Sequence, residues 1–136
     1  MTDTGTGRVL HLAHVDEWNQ TLLTGWFDRS TRGRTLAQEG FIHTSAADQV
    51  SGVAARFYAD DPAPLLLLVI DIAATEAAGS PLRWDPVADT AVPHFYGPIP
   101  RHAVVAALPV EFTDGALVVP DLTGFDVVDA PPATAS

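Results

Sequence analysis

The sequence predicts a small α+β domain, with a split or mixed β-sheet and two helices. Three observations predict it. The chain has 136 residues, of which 47% are hydrophobic and 18% charged, enough apolar mass for one core. Only two segments carry helical spacing, whereas five or six carry strand patterns. The last strand segments follow one another with no helix between them, which argues against a doubly wound sheet.

The elements follow in chain order. In Arg8–Ala13, Val9, His11 and Ala13 share one face and Leu10 and Leu12 the other, as in a strand. Asp16 is the expected N-cap of a first helix with Trp18, Leu22 and Leu23 inward, and Gly25 ends it. Residues 26–35 read as a polar loop, and Leu36–Gly40 as a turn into a strand over Phe41–Thr44. Ser45 is the expected N-cap of the second helix, with Asp48 completing an approximate capping box. Val50, Val53, Ala54 and Phe57 line one face of that helix, which runs to about Tyr58. Leu65–Ile72 is a continuous apolar run, the mark of a central strand buried on both faces. Leu82–Trp84 is a short strand, and Val92–Pro100, rich in proline and aromatics, reads as an ordered loop. Ala103–Phe112 is a further strand, and Asp114-Gly115 signals a hairpin before Ala116–Val119. One globular domain is expected over 8–128, with a disordered N-terminus over 1–7 and a flexible Pro/Ala tail over 129–136.

Charge and composition narrow the function classes. Seven Arg stand against seventeen Asp plus Glu, a net charge of −10, which repels phosphate backbones, so no nucleic-acid partner is expected. Only Arg29, Arg32 and Arg34 cluster, either as a solvated loop or as a small anion clamp. Cysteine is absent, which removes thiolate metal sites and a Cys nucleophile. No apolar run is long enough to span a bilayer and no leader peptide is readable, so the expected location is cytoplasmic, with no membrane partner.

The chemistry-bearing residues sit in apolar surroundings. His11, His43 and His94 each interrupt a hydrophobic segment, and three such imidazoles in one small domain point to a shared site. His14 and His102 stand at strand ends and are expected to be exposed. Thr44 and Ser45 either cap a helix or, with its free N–H groups, cradle an anion. Tyr96 is either a core residue or a platform for a flat ring, and Asp85 is the carboxylate available to stabilise a developing cation. No carboxylate lies at ligand spacing beside the histidines, so no metal is expected.

The blocks LHLAHVDEW, EGFIHTSAADQVSGVAARFY, LLLLVIDI, RWD and VPHFYGPIPRHAVV together resemble the bacterial family called domain of unknown function 952, over about residues 8–112. Members of that family look like small relatives of the ADP-ribosyltransferase fold. FIHTS, the helix after it and a strand ending in Ile-Asp are similar to the pattern of RNA 2′-phosphotransferases. The resemblance implies NAD as substrate or ligand. It places His11 as the first-strand residue and His43, Thr44 and Ser45 as the second-strand motif. Asp85 stands where family members commonly carry Glu after the Trp of the short strand.

The expected function is therefore binding of a nucleotide-like small molecule, most simply NAD, with ADP-ribosyl transfer as the chemistry. His11, His43 and Asp85 are the catalytic candidates. Thr44, Ser45, His94 and Tyr96 are the ligand-binding candidates. The competing readings are a non-catalytic small-molecule-binding or structural domain, and a specialised biosynthetic enzyme on the same scaffold.

Overall fold

A computed structural model describes residues 7–131. The expectations for residues 1–6 and 132–136 lie outside the described residues. The chain forms β1 (Arg8–His14), α1 (Val15–Thr24), β2 (Trp26–Phe27), β3 (Arg29–Thr31), β4 (Arg34–Thr35), α2 (Leu36–Glu39) and β5 (Ile42–His43). It continues with α3 (Val50–Phe57), β6 (Leu65–Asp71), α4 (Ile72–Ala77), β7 (Leu82–Val87), β8 (Thr90–Phe95) and β9 (Ile99–Pro100). A 3-10 turn over Arg101–Ala103 leads into β10 (Val104–Pro109), β11 (Glu111–Thr113) and β12 (Ala116–Val118). The class is α+β, mostly strands, with four short helices rather than two among the described residues. The extra pair, α2 and α4, are one or two turns long, too short for a periodic pattern to reveal them.

Two three-stranded antiparallel sheets, β1-β6-β10 and β5-β8-β7, carry the architecture. β6 is the central strand of the first and is apolar on both faces. On one face Leu68 and Ile70 join Val9, Ala13, Ile42, Phe95 and Ile99 in a core between the two sheets. On the other, Leu65, Leu67 and Val69 join Leu10 and Leu12 beneath Val50 and Ala54 of α3 and Leu117 of β12. The sheet is thus the middle of three layers, which explains the unbroken leucine run. The β11–β12 hairpin turns at Asp114 and Gly115, both with positive φ (53° and 80°), as the Asp-Gly signal requires.

Several local expectations are corrected. The segment after residue 92 is not a loop. Val92–Phe95 belongs to β8, the middle strand of the second sheet. Pro93 is tolerated there because N–H and C=O of one residue face the same neighbour in an antiparallel ladder. Its carbonyl faces Thr44, so the missing N–H falls beyond the end of β5 and breaks no rung with β7.

Nor does Ser45 cap a helix. Its backbone pairs with Leu10 in both directions, at 2.7 and 2.8 Å, and α3 begins only at Val50. Strand pairing with β1 outweighs the capping preference, and Phe41–Ser45 becomes the crossover between the two sheets. α1 starts at Val15, with the Glu17 side chain accepting from the His14 N–H, so Asp16 is not its cap. Its inward residues are Trp18 and Thr21, whereas Leu22 and Leu23 are exposed. His14 is half-buried and bonds Asp61 at 2.6 Å; His102 is exposed.

The turn after β8 is closely packed. A Cβ added at Gly97 would lie 2.9 Å from Ser80 Cβ and 3.2 Å from its Cα. Ser80 cannot retreat without losing its 2.6 Å bond to the Pro98 carbonyl. Gly97→Ala is therefore expected to cost about 1–3 kcal/mol, read as a lower urea midpoint with an unchanged slope.

Candidate functional site

Strand periodicity builds the site. In the second sheet Ile42, Phe95 and Leu82 point inward to the core. The alternate positions therefore share the outer face: Phe41 and His43 from β5 and the residue before it, His94 and Tyr96 along β8 and just past its end, and Arg83, Asp85 and Val87 from β7. His43 and His94 are direct cross-strand partners, as are His94 and Arg83.

These side chains form one hydrogen-bonded row. Tyr96 Oη donates to Asp85 Oδ2. His94 Nδ1 lies 2.7 Å from the same oxygen, and His94 Nε2 lies 3.2 Å from His43 Nδ1. Phe41 stacks on His94, with centroids 4.0 Å apart and planes 21° apart. The Arg83 guanidinium sits 5.4 Å from the centre of the Tyr96 ring.

Over this row lies a cavity of about 430 Å³. Phe41, His43, His94 and Val87 form its floor, and Phe57 from α3 closes one side. Arg32, Arg34 and Glu39 stand at its rim. The three clustered arginines are all partnered within the chain. Arg32 holds Asp60 at 2.7 Å and Asp61 at 3.2 Å, Arg34 holds Glu39 at 2.9 Å, and Arg29 lies 3.7 Å from Asp28.

A family model described as "Protein of unknown function (DUF952)" matches residues 12–107. The chain belongs to that family. Protein CC0527 from Caulobacter crescentus, known from an X-ray crystal structure, is similar in fold at a TM-score of 0.68 and 25% identity, over 81% of this chain and 92% of that one. A double mutant of CC0527 superposes equally well. No curated protein matches the chain.

In this family member the remaining candidates lie behind the row. His11 is buried in β1, edge-on to Phe27 at 5.1 Å, and its Nδ1 donates to the His43 carbonyl at 2.6 Å. His11, Ser45, Ser30 and Tyr58 line a separate slot of about 10 Å³, water-sized, which shares His43 and Thr31 with the main cavity. His43 is therefore the one imidazole common to both spaces. Thr44 is buried and its hydroxyl donates to the Pro93 carbonyl at 2.8 Å.

The amides from His43 to Ala47 are already engaged. His43 N–H bonds Ser30 Oγ, Thr44 N–H the Pro93 carbonyl, Ser45 N–H the Leu10 carbonyl, Ala46 N–H Gln49 Oε1 and Ala47 N–H the Val128 carbonyl. An anion therefore has the arginine rim, not this turn, to bind.

Electrostatics separate the titratable groups. Burial pushes the His11 imidazole down to about 4, with a lesser push from His43 against the help of the His43 carbonyl. Burial and then the neighbouring His94 bring His43 down to about 4 as well. The Tyr96 hydroxyl holds the Asp85 carboxyl below its ordinary range, helped by His94 and opposed by burial. Asp85 in turn pushes the Tyr96 phenol up. Among the described residues no group of three or more His, Cys, Asp or Glu is arranged to hold a metal ion, and no helix is long and apolar enough to cross a membrane.

Periodicity contained a signal for Phe41, which is two residues before His43 and so on its face. Arg32 stood out only as one of three clustered arginines, and nothing in the sequence showed that it, Phe57 and Val87 meet at the cavity, because hairpin, helix and strand reach it from distant parts of the chain.

Proposed function

We propose that the cavity binds a nucleotide-like ligand of NAD type, on an ADP-ribosyltransferase-like scaffold, with ADP-ribosyl transfer as the reaction class. The proposal includes a cytoplasmic location. The observation that carries it is the row Tyr96–Asp85–His94–His43, ending at the wall of an apolar-floored cavity with two arginines at its rim. About 430 Å³ lies within the usual range for small-molecule sites and suits one half of a dinucleotide. Phe41, Phe57 and Val87 offer apolar surface to a flat ring. The guanidinium forks of Arg32 and Arg34 offer donors to a diphosphate, which would compete with Asp60 and Glu39 for them.

In such a transfer the glycosidic bond from ribose C1′ to nicotinamide breaks, and a bond from C1′ to the acceptor oxygen forms. Positive charge develops at C1′ and a proton leaves the acceptor. His43 is placed at the cavity wall for contact with the ligand. Asp85 does not line the cavity and acts at one remove, through His94.

Thermal unfolding with added NAD tests this. At a hundred times the dissociation constant a ligand adds about 2.7 kcal/mol, an upward shift of about 10 °C for a domain of this size. His43→Gln, which keeps a neutral hydrogen-bonding group, is expected to lose most of that shift. Absence of any shift with millimolar NAD, ADP-ribose or nicotinamide mononucleotide would overturn the nucleotide reading.

A further inference from the structure

We propose that His43 Nε2 is a general base, and that the proton it takes from a ligand hydroxyl or water is passed through the His43 ring to the His94–Asp85 pair. The catalytic half of this rests on the cavity being a ligand site. The proton arrangement does not, since it follows from the row itself.

The donors and acceptors determine the direction. Asp85, held ionised by its surroundings, can only accept, so the proton between it and His94 lies on His94 Nδ1. A neutral His94 then presents a lone pair at Nε2, and the hydrogen across the 3.2 Å contact belongs to His43 Nδ1. That tautomer leaves the lone pair of His43 on Nε2. Among the described residues Nε2 has no hydrogen-bond partner, and no buried side-chain nitrogen or oxygen is unpaired, so this atom reaches solvent. The Tyr96 hydroxyl, the second group on Asp85 Oδ2, fixes that carboxylate in place.

The transfer balances. A hydroxyl gives its proton to His43 Nε2, and the electron pair of the O–H bond stays on oxygen. The His43 Nδ1 proton moves to His94 Nε2. His43 ends neutral and inverted in tautomer, and His94 ends as an imidazolium 2.7 Å from the Asp85 carboxylate, with the Phe41 face stacked on it. The row thus answers how a buried imidazole works as a base: the charge does not stay on His43. Every neighbouring charge is accounted for. Asp85 and Arg83 face His94 from β7, and Tyr96, just past the end of β8, bonds Asp85. Glu39, Arg32 and Arg34 face His43 across the cavity. Behind the row, His11 bonds the His43 carbonyl and feels a smaller charge effect from the His43 ring.

The test is two-bond ¹H–¹⁵N NMR on ligand-free, ¹⁵N-histidine-labelled protein, so failure of NAD to bind leaves it standing. At pH 7.5 both His43 and His94 are expected as Nδ1–H tautomers. In Asp85→Asn the amide can donate to His94 Nδ1, which puts the hydrogen on His94 Nε2 and then on His43 Nε2, so the inverted tautomer should appear already at pH 7.5. Tyr96→Phe keeps the carboxylate and should keep the wild-type tautomers. A wild-type His43 with Nε2–H at pH 7.5, or an unchanged His43 tautomer in folded Asp85→Asn, would overturn the proposal.

Discussion

Phe95→Ala is expected to remove about 3–5 kcal/mol of stability, a large part of the roughly 5–15 kcal/mol such a domain possesses. The side chain is fully buried in the middle strand of the second sheet and packs between the sheets with Ile42, Leu68 and Ile99. Nothing nearby is free to collapse into the space, because the surrounding strands are tied by their ladders. The residue also matters to the site. Phe95 stands between His94 and Tyr96, and its burial on the inner face is what presents those two on the outer one. Urea unfolding should give the loss directly. Phe95→Leu, which keeps most of the volume, should recover at least half of it and retain any NAD-dependent thermal shift. A loss below about 1 kcal/mol in Phe95→Ala would mean that this core is not what holds the row in register.

What the sequence disclosed tracks how local each signal was. The faces of β1 were legible as alternation, and both faces of β6 as an unbroken apolar run, because each depends only on what its own strand covers. The three histidines in apolar segments stood out for the same reason: an imidazole there needs a partner, and partners gather. The failures share another cause. Ser45 looks like a helix cap by local chemistry, yet its backbone is taken by Leu10, thirty-five positions away in the chain, and α3 starts later. Pro93 looks like a strand breaker, yet it sits where β5 has run out of pairing residues. Tyr96, Asp85 and His94 could each be named as candidates, but not as one row. Their connection exists only in the register of β7 on β8, which no spacing within either strand encodes.

Burial of two histidines also makes the protein acid-labile above the range in which carboxylates titrate. His11 and His43 have folded values near 4 against an ordinary 6.5, because both are held neutral by burial. The unfolded chain therefore binds more protons than the folded one between pH 6.5 and 4, and stability rises with pH across that window. Above 6.5 neither state is charged and the term is flat. Below 4 both states are charged and it is flat again. Each histidine contributes a slope of at most about 1.4 kcal/mol per pH unit, so moving from pH 7 to pH 5 should cost about 2 kcal/mol apiece and about 4 kcal/mol together. His14 opposes this only above 6.5. Although burial lowers it, Asp61 and Glu17 raise it on balance, so its contribution is complete below 6.5 and is lost only as pH rises through its folded value. Asp85 and Asp61 are lowered and act below 3.8. The window from 4 to 6.5 is therefore where His11 and His43 act. Urea midpoints at pH 7, 6 and 5 measure it. His11→Asn, whose amide can still donate to the His43 carbonyl, should lower stability at pH 7 modestly while removing about half of the pH dependence. An equal slope in wild type and His11→Asn would show that His11 takes up its proton as readily in the folded protein as in the unfolded chain, and that its burial does not keep it neutral.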